Sequence, residues 1–252
     1  MKIISIVNNK GGVGKTTTTQ NLGVYFAELG FKVGLIDFDS QANLSLSFEY
    51  DSEGVDLLNA LKRGEKLVLN DFSKVQNKSI SVLYNNKDIN SGTMGVVPEV
   101  KRLGALKRII NQLNFDIILI DTAPSLDINT LCPLFASTDI LIPINYEKYS
   151  IQGLSTLFET IDILNNEQNA NINTLGVFAT KVDERLAITE AYRPILEKEL
   201  SEYLLKSVIR TNSKFQQSQD SAKSIFDLED LKGKEDYKKL GDEILAKLKL
   251  TK

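Results

Sequence analysis

Residues 8–19 combine glycines, lysines and threonines in a spacing that can bind phosphate groups: Asn-Asn-Lys-Gly-Gly-Val-Gly-Lys-Thr-Thr-Thr-Thr. Glycines let the backbone curl so that several N–H groups point at one spot, where the start of a following helix adds partial positive charge. In such a loop Lys15 would reach the β- and γ-phosphates of a nucleotide, and the Thr16 hydroxyl would bind Mg²⁺. A glycine-rich turn with a chance lysine is the alternative, but an apolar run before the loop and an amphipathic stretch after it favour a nucleotide site. The predicted nucleotide contacts in this loop are Gly11, Gly12, Val13, Gly14, Lys15, Thr16 and Thr17.

Acidic residues stand at the ends of two other apolar runs. Asp121 closes Phe-Asp-Ile-Ile-Leu-Ile-Asp, a Walker B pattern in which the carboxylate would hold a water on Mg²⁺. Asp37 and Asp39 end Gly-Leu-Ile-Asp-Phe-Asp, and the period of two in a strand points both side chains toward one site. The alternative is a buried aspartate that merely ends a strand. Next to the glycine-rich loop, the pattern favours a shared catalytic site.

The elements that must position these residues are short apolar runs alternating with helical stretches. Continuous rather than alternating apolar runs are typical of strands covered on both faces. The pattern predicts an α/β fold with a doubly wound, mostly parallel sheet flanked by helices, in a single domain over residues 1–252 with no N-terminal helix-turn-helix. Residues 64–100 are the least regular part, with a weak strand signal at Ile80–Leu83. The predicted strands are Ile3–Val7, Val33–Asp37, Asp116–Asp121, Asp139–Ile144, Leu175–Thr180 and Ser207–Ile209, and the predicted helices are Thr16–Leu29, Asp56–Leu61, Ala105–Leu113, Ile128–Phe135, Ile151–Asn165, Leu186–Leu204 and Tyr237–Leu248.

The amino-acid composition limits which catalytic groups the protein can use and in which cellular compartment it is expected. Hydrophobic residues make up 42% of the chain and charged residues 25%, which is an ordinary globular balance. No run reaches the ~18 apolar residues of a membrane span, and the start is too short to be a signal peptide. The only cysteine, Cys132, excludes an intrachain disulfide, and its apolar helical surroundings predict a buried side chain. With no histidine, an imidazole base is excluded, and a cytoplasmic location is the default expectation.

The overall charge does not indicate nucleic-acid binding, since the formal net charge is −3 and the pI is near 5.3. A local patch in residues 206–225 could still bind phosphates, because its four basic residues outnumber its one acidic residue, Asp220. Hydroxyl and amide side chains in the same segment could donate to phosphate oxygens. A solvated polar loop with a short helix is the alternative. The candidate DNA contacts are Lys206, Arg210, Lys214 and Lys223.

A second lysine in the glycine-rich loop gives the chain a family resemblance. Lys10 precedes Lys15, and Lys-Gly-Gly-Val-Gly-Lys-Thr-Thr resembles the deviant Walker A motif of the ParA/MinD superfamily of P-loop ATPases. The stretch Asp-Phe-Asp-Ser-Gln is similar to the family's D-x-D-P-Q, with Ser40 where proline is usual. After Asp121, Ala123 stands in place of the first of two common prolines. The similarity covers nearly the whole chain and is most specific in its first 41 residues and in residues 116–154.

The resemblance implies roles for particular residues. Lys10 would reach across a two-fold axis to the phosphates held by a partner subunit, so that a dimer closes around two ATP molecules. Asp37 would lie near the Mg²⁺ shell with Thr16 and Asp121, and Asp39 would position the attacking water. The catalytic residues would therefore be Lys10, Lys15 and Asp39, the adenine would lie against Thr180, Lys181, Ile209, Arg210 and Thr211, and the cofactors would be ATP and Mg²⁺.

The family's partners suggest a function in DNA segregation. A ParA/Soj-type partition ATPase would bind double-stranded DNA nonspecifically on the nucleoid, and a centromere-bound ParB-type protein would stimulate its slow ATP hydrolysis. A MinD-like division-site ATPase on a membrane surface is an alternative, but the tail Ile244-Leu-Ala-Lys-Leu-Lys-Leu lacks a bulky aromatic, which argues against membrane binding. A metabolic ATP-dependent enzyme on the same scaffold is another, although no residues mark a second substrate pocket.

Overall fold

The computed structural model describes residues 1–64, 66–85, 103–111, 113–147 and 150–252. Much of the irregular stretch at 64–100 lies outside these residues, but its predicted strand at Ile80–Leu83 is present. The strands are β1 (Lys2–Ile6), β2 (Val33–Phe38), β3 (Tyr50–Ser52), β4 (Ser73–Val75), β5 (Ile80–Leu83), β6 (Ile117–Thr122), β7 (Asp139–Ile144) and β8 (Asn173–Ala179). The helices are α1 (Lys15–Glu28), α2 (Leu57–Arg63), α3 (Ala105–Ile110), α4 (Ile128–Ala136), α5 (Ser150–Gln168), α6 (Ala187–Glu199), α7 (Lys214–Asp220) and α8 (Leu231–Leu248).

An eight-stranded sheet forms the centre of the fold, in the order β3-β4-β5-β2-β6-β1-β7-β8. The pairs from β5 to β8 are parallel, and β3 and β4 add an antiparallel edge. The mostly parallel, doubly wound sheet predicted from the sequence is therefore confirmed. Because β1, β2 and β6 are adjacent, their carboxyl ends bring the glycine-rich loop and the acidic strand ends to one edge of the sheet.

Helices cover both faces of the sheet, which explains why the central strands are apolar throughout. On β6, Ile117 and Leu119 join the same core cluster as Phe26 of α1 and Leu240 of α8. The alternate residues of that strand, among them Ile118, pack with helices of the opposite face. Cys132 is fully buried on α4, as predicted. No described helix is both long and apolar enough to cross a membrane.

The predicted strand Ser207–Ile209 is wrong, since the chain there makes only isolated bridges at Leu204 and Arg210. The backbone N–H groups of Lys206 and Ser207 donate instead to the carboxylate of Glu243 on α8, each at 2.9 Å. For these two N–H groups a carboxylate is the acceptor, whereas the Ile209 N–H still donates to the Ala179 carbonyl of β8 at 2.9 Å.

Several predicted helix limits were also wrong. The helix expected over 186–204 ends at Glu199, because the chain turns there to bring the Leu205 N–H to the Val177 carbonyl of β8 at 2.7 Å. The last helix begins at Leu231 rather than Tyr237, with Asp230 as its N-cap. The short strands β3 and β4 had not been predicted.

Candidate nucleotide-binding site

The glycine-rich loop joins the end of β1 to the start of α1, as the sequence predicted. Gly12 and Gly14 have φ angles of 74° and 89°, a left-handed conformation that glycine adopts without strain. Gly14 is the N-cap of α1, so the first N–H groups of that helix face the loop. A helix N-terminus of this kind stabilises anions such as phosphate.

A cavity of about 860 Å³ opens beside the loop at the carboxyl ends of the strands. Its walls come from the loop and α1, from the segment after β2, from the segments after β8 and from α7. Most of the predicted nucleotide contacts are brought together there. The lining residues named by the sequence prediction are Gly11, Gly12, Gly14, Lys15, Thr16, Thr17, Asp39, Thr180, Lys181, Ile209, Arg210 and Thr211.

Lys15 is held inside the loop with its ammonium group directed at backbone oxygens. Its Nζ donates to the carbonyls of Asn8 and Lys10, each at 3.1 Å. Burial lowers the pKa of Lys15, while the nearby carboxylates of Asp121 and Asp39 act in the opposite direction. The loop thus fixes a cation at the bottom of the cavity.

Asp121 has one satisfied and one orphaned oxygen. Its Oδ2 accepts a 2.6 Å hydrogen bond from the Thr16 hydroxyl, while its buried Oδ1 has no hydrogen-bond partner. Burial raises the pKa of Asp121 well above its ordinary value, and the neighbouring Asp37 raises it further. A buried carboxylate oxygen that lacks a donor fits a role as acceptor for a metal-bound water. The Thr16–Asp121 pair therefore provides the oxygen ligands that Mg²⁺ prefers.

Asp37 lies behind the cavity and does not line it. Its Oδ2 accepts from the backbone N–H and the hydroxyl of Ser45, at 2.8 and 2.6 Å, and its Oδ1 accepts from the Asp39 N–H at 3.1 Å. Burial raises the pKa of Asp37 to about 6 despite these hydrogen bonds. Through these hydrogen bonds the Asp37 side chain fixes the turn after β2.

Asp39, two residues later, does line the cavity, with 7% of its surface exposed. Its Oδ1 accepts from the Gln41 N–H at 3.0 Å. Asn85 donates to the Asp39 carbonyl at 2.9 Å, which fixes the backbone at this point. Of the two aspartates that end β2, only Asp39 therefore faces the space where a nucleotide would lie.

Lys10 points away from the cavity that its own loop forms. Its ammonium group pairs with the Glu147 carboxylate, and both side chains are exposed, at 46% and 40%. Hydrogen bonds from Lys10 and Asn145 lower the pKa of Glu147. Lys10 is therefore on the outer face of the loop, separate from Lys15.

The residues after β8 attach the far end of the cavity to the loop. The Thr180 hydroxyl lies 2.8 Å from the Val13 carbonyl and 2.9 Å from Asn145 Oδ1. Val13 itself is buried behind the loop and does not line the cavity.

Helix α7 adds cavity-lining residues that the sequence prediction missed. Phe215, Gln216, Gln219 and Asp220 line the cavity from α7, and Tyr237 lines it from α8. Gln219 Nε2 donates to the Thr17 hydroxyl at 2.9 Å, which joins α7 to the start of α1. The spacing of Gln216, Gln219 and Asp220 places them on one helix face, and this was the available signal.

Arg210, predicted both as an adenine and as a DNA contact, is neutralised by acidic residues of α8. Its Nε donates to Asp236 at 2.9 and 3.1 Å, and Glu235 lies 3.6 Å from its other nitrogen. The charge count over residues 206–225 did not include these two carboxylates. By contrast, Lys206, Lys214 and Lys223 are exposed.

Comparison with known proteins assigns the family. The AAA_31 model, described as an AAA domain, matches residues 1–174. The sporulation initiation inhibitor protein Soj of Bacillus subtilis is 30% identical over 97% of this chain and 98% of that protein. The chain belongs to the ParA/Soj family of P-loop ATPases.

Two further similarities agree with this assignment. The chromosome-partitioning ATPase Soj of Treponema pallidum is 29% identical over 98% of both chains. The crystal structure of the cell division ATPase MinD of Pyrococcus furiosus superposes with a TM-score of 0.75 at 26% identity, covering 97% of this chain and 98% of that one. The ParA/MinD resemblance inferred from the sequence is thereby confirmed.

Proposed function

We propose that this protein is an ATP-dependent partition ATPase that segregates DNA. The chain is an ATPase of the ParA/Soj family, and its relatives include chromosome-partitioning proteins. The observation that carries the proposal is the cavity lined by Lys15, Thr16 and Asp39. Asp121, whose Oδ1 is orphaned, is buried behind this lining and is hydrogen-bonded to Thr16. This set of side chains supplies the positive charge, the oxygen ligands and the buried carboxylate that phosphoryl transfer requires.

The nucleotide would be ATP with Mg²⁺. Thr16 and Asp121 would hold the metal ion, Thr16 through its hydroxyl and Asp121 through a water, since Asp121 Oδ1 is buried and unpartnered. Bound Mg²⁺ neutralises the charge that phosphoryl transfer develops on the phosphate oxygens. Asp37 supports this site through Ser45 and Asp39 rather than by direct contact. At the other end of the cavity, Thr180 and the residues after it would hold the adenine.

Lys15 and Asp39 have separate catalytic tasks in this proposal. Lys15, already fixed by loop carbonyls, stabilises the negative charge of the transferred phosphate. Asp39 accepts a hydrogen bond from the attacking water and so orients it. Because an aspartate is a weak base at neutral pH, the intrinsic rate should be slow and open to stimulation by a ParB-type partner.

Lys10 supports an ATP-dependent sandwich dimer. Lys10 is exposed and does not line the cavity of its own subunit. It would therefore contact the phosphates of a nucleotide bound in the cavity of a partner subunit. The Glu147 pair is solvent-exposed and therefore weak, worth at most about 1 kcal/mol. Phosphates of a facing subunit would displace it readily.

Nonspecific DNA binding would use Lys214 and Lys223, with Lys206 nearby. These side chains are exposed, and lysine contacts to phosphates carry no sequence information. Arg210 contributes less than the sequence suggested, because its charge is compensated by Asp236.

The MinD-like alternative is disfavoured by the packing of α8. Its apolar residues Tyr237, Leu240 and Ile244 are buried in the cluster that includes Leu22 and Phe26 of α1. A helix that lies on a membrane needs that apolar face free. Because the apolar face of α8 is buried against α1, it is not available to insert into a membrane.

The test is binding of the purified protein to nonspecific duplex DNA with ATP, with ADP and without nucleotide, across a salt series. A liposome pull-down is made in parallel, and Lys15→Ala is the matched variant. Salt-sensitive DNA binding that requires ATP and is lost in Lys15→Ala supports the partition function. ATP-dependent liposome binding without DNA binding would instead favour the MinD-like function, and binding to neither would favour a metabolic enzyme.

A further inference from the structure

Lys181 lies over the phosphate-binding loop, close to Gly12. Its Nζ lies 4.0 Å from the position that a Cβ atom would take on Gly12, and its side chain lines the cavity. It is thus a third lysine near the loop, alongside Lys10 and Lys15. The sequence prediction placed it at the adenine, but its charged end reaches the loop.

Lys181 also differs from the other two lysines: it makes no ion pair or hydrogen bond among the described residues, although its charge helps to lower the pKa of Glu147 from a longer distance. Lys15 donates to loop carbonyls and Lys10 pairs with Glu147. Within the described part of the chain, no carboxylate lies within 4.0 Å of the Lys181 ammonium group, and no hydrogen bond engages it. Its charge is therefore available to a ligand in the cavity.

The backbone at Lys181 is held in a conformation that its side chain does not favour. Its φ angle is 53°, in the left-handed region where a residue with a Cβ atom is strained. Hydrogen bonds on both sides fix it: the Thr180 N–H donates to Ile144 at 2.7 Å, and the Val182 N–H donates to Ile209 at 3.1 Å. A strained residue that its surroundings fix at the edge of a cavity points to a functional constraint.

We infer that Lys181 is a nucleotide-contacting residue whose ammonium group binds the phosphate side of a nucleoside di- or triphosphate within the same subunit. Because this cation belongs to the subunit that holds the nucleotide, its contribution does not require a dimer, in contrast to the one proposed for Lys10. The inference rests on the proposed function, since it assigns a further contact to the same nucleotide.

The experiment measures the affinities of AMP, Mg-ADP and Mg-ATP by titration calorimetry for the wild type and for Lys181→Met. We expect Lys181→Met to weaken ADP and ATP binding about tenfold, a typical effect of one charge-assisted contact, and to change AMP binding much less. Lys181→Arg should keep most of the affinity, because it keeps the charge. Lys249→Met is the matched control, since Lys249 is an exposed lysine with a φ angle of 55° at the end of α8, outside the residues that line the cavity.

A structural role is separated from a binding role by Lys181→Gly. Glycine relieves the left-handed strain, so this variant should unfold at a higher temperature while binding ADP as weakly as Lys181→Met. Wild-type affinity for ADP in Lys181→Met would overturn the inference alone, and so would an equal loss for AMP, which would place Lys181 at the base or ribose. Failure of the wild type to bind ATP would overturn the proposed function and this inference with it.

Discussion

Asp37 and Asp121 are register partners in the parallel pair of β2 and β6, and both side chains are completely buried. Burial is the main cause of the raised pKa of both carboxyls. The charge of Asp37 raises the pKa of Asp121 further, and the charge of Asp39 raises that of Asp37. Asp37 is compensated by donors from Ser45 and Asp39, whereas Asp121 keeps one oxygen unpartnered. Ionised Asp121 therefore carries a desolvation cost that a bound cation would offset.

The first prediction is that Asp121→Asn stabilises the nucleotide-free protein and impairs hydrolysis. Asparagine keeps the acceptor for Thr16 and removes the buried charge, which should add about 1 to 3 kcal/mol to the free energy of unfolding at pH 7.5. A carboxyl whose pKa is raised by folding ionises at a lower pH in the unfolded chain than in the folded protein. The wild type therefore loses stability as the pH rises from the pKa of the unfolded chain toward that of the folded protein. The gain should therefore shrink at pH 5, as thermal unfolding of both proteins at each pH would show. ATP turnover should fall by about tenfold to a hundredfold.

Asp139→Asn is the control for that prediction. Asp139 is also a buried strand aspartate, but Lys2 pairs with it at 3.1 Å. Its replacement should lower the unfolding temperature at pH 7.5 rather than raise it. An Asp121→Asn protein that is less stable than the wild type at both pH values would refute our account of the orphaned oxygen.

The second prediction separates the two lysines of the loop. Lys10→Ala should leave ADP binding by the monomer within about twofold of wild type, because Lys10 does not line its own cavity. The same variant should lose ATP-dependent dimerisation in sedimentation velocity. Lys15→Ala should lose both properties. If Lys10→Ala dimerises with ATP as the wild type does, the cross-subunit role of Lys10 is wrong.

The parts of the fold predicted from the sequence are those with a local signal. The glycine spacing, the apolar run before it and the helix after it lie within one short stretch, so the loop between β1 and α1 was predicted correctly. Asp121 was placed at a strand end for the same reason. The strands β3 and β4 span only Tyr50–Ser52 and Ser73–Val75, too short to show a periodic pattern.

The site residues that sequence patterns misjudged depend on contacts between distant segments. The charge of Arg210 is compensated by Asp236 of α8, which is 26 residues away in the chain, so no local charge count could show it. The position of the Lys181 ammonium group beside the glycine-rich loop likewise follows from the packing of the segment after β8 against Gly12. Asp37 faces Ser45 because the chain after β2 turns back on the strand.

The third prediction concerns Arg210, whose main role we expect to be structural. Arg210→Ala leaves Asp236 unpaired with only 5% of its side chain exposed, which should reduce the free energy of unfolding by about 1 to 3 kcal/mol, less than for a fully buried pair because the arginine is 31% exposed. Arg185→Ala is the control, since Arg185 is 88% exposed in its pair with Asp183 and its loss should leave stability close to that of the wild type. Urea unfolding of both variants measures the difference. Equal stabilities would show that the Arg210–Asp236 pair contributes nothing.

The fourth prediction is that the exposed lysines of residues 206–225, rather than Arg210, bind DNA. The double variant Lys214→Ala with Lys223→Ala should keep wild-type stability and ATP binding but bind duplex DNA more weakly. The slope of log affinity against log salt concentration should become less steep by about 2, since each phosphate contact contributes about 0.9 and the variant removes two. Lys198→Ala with Lys247→Ala, exposed lysines of α6 and α8, is the charge-matched control. Unchanged DNA affinity and slope in the first double variant would remove both lysines from the interface.

The fifth prediction tests whether α8 is tightly packed on α1. A Cβ atom on Gly241 would lie 2.4 Å from Cδ1 of Tyr25, a contact closer than atoms tolerate. Gly241→Ala should therefore destabilise the protein by about 1 to 3 kcal/mol, even though alanine favours helix by up to about 1 kcal/mol. Lys238→Ala, on the exposed side of the same helix, should not destabilise it. Adding Tyr25→Ala to Gly241→Ala should give a loss smaller than the sum of the single losses, because the clash is then absent. Additive losses in chemical unfolding would mean that the two helices do not pack through this contact, and the case against a free apolar face on α8 would be weakened.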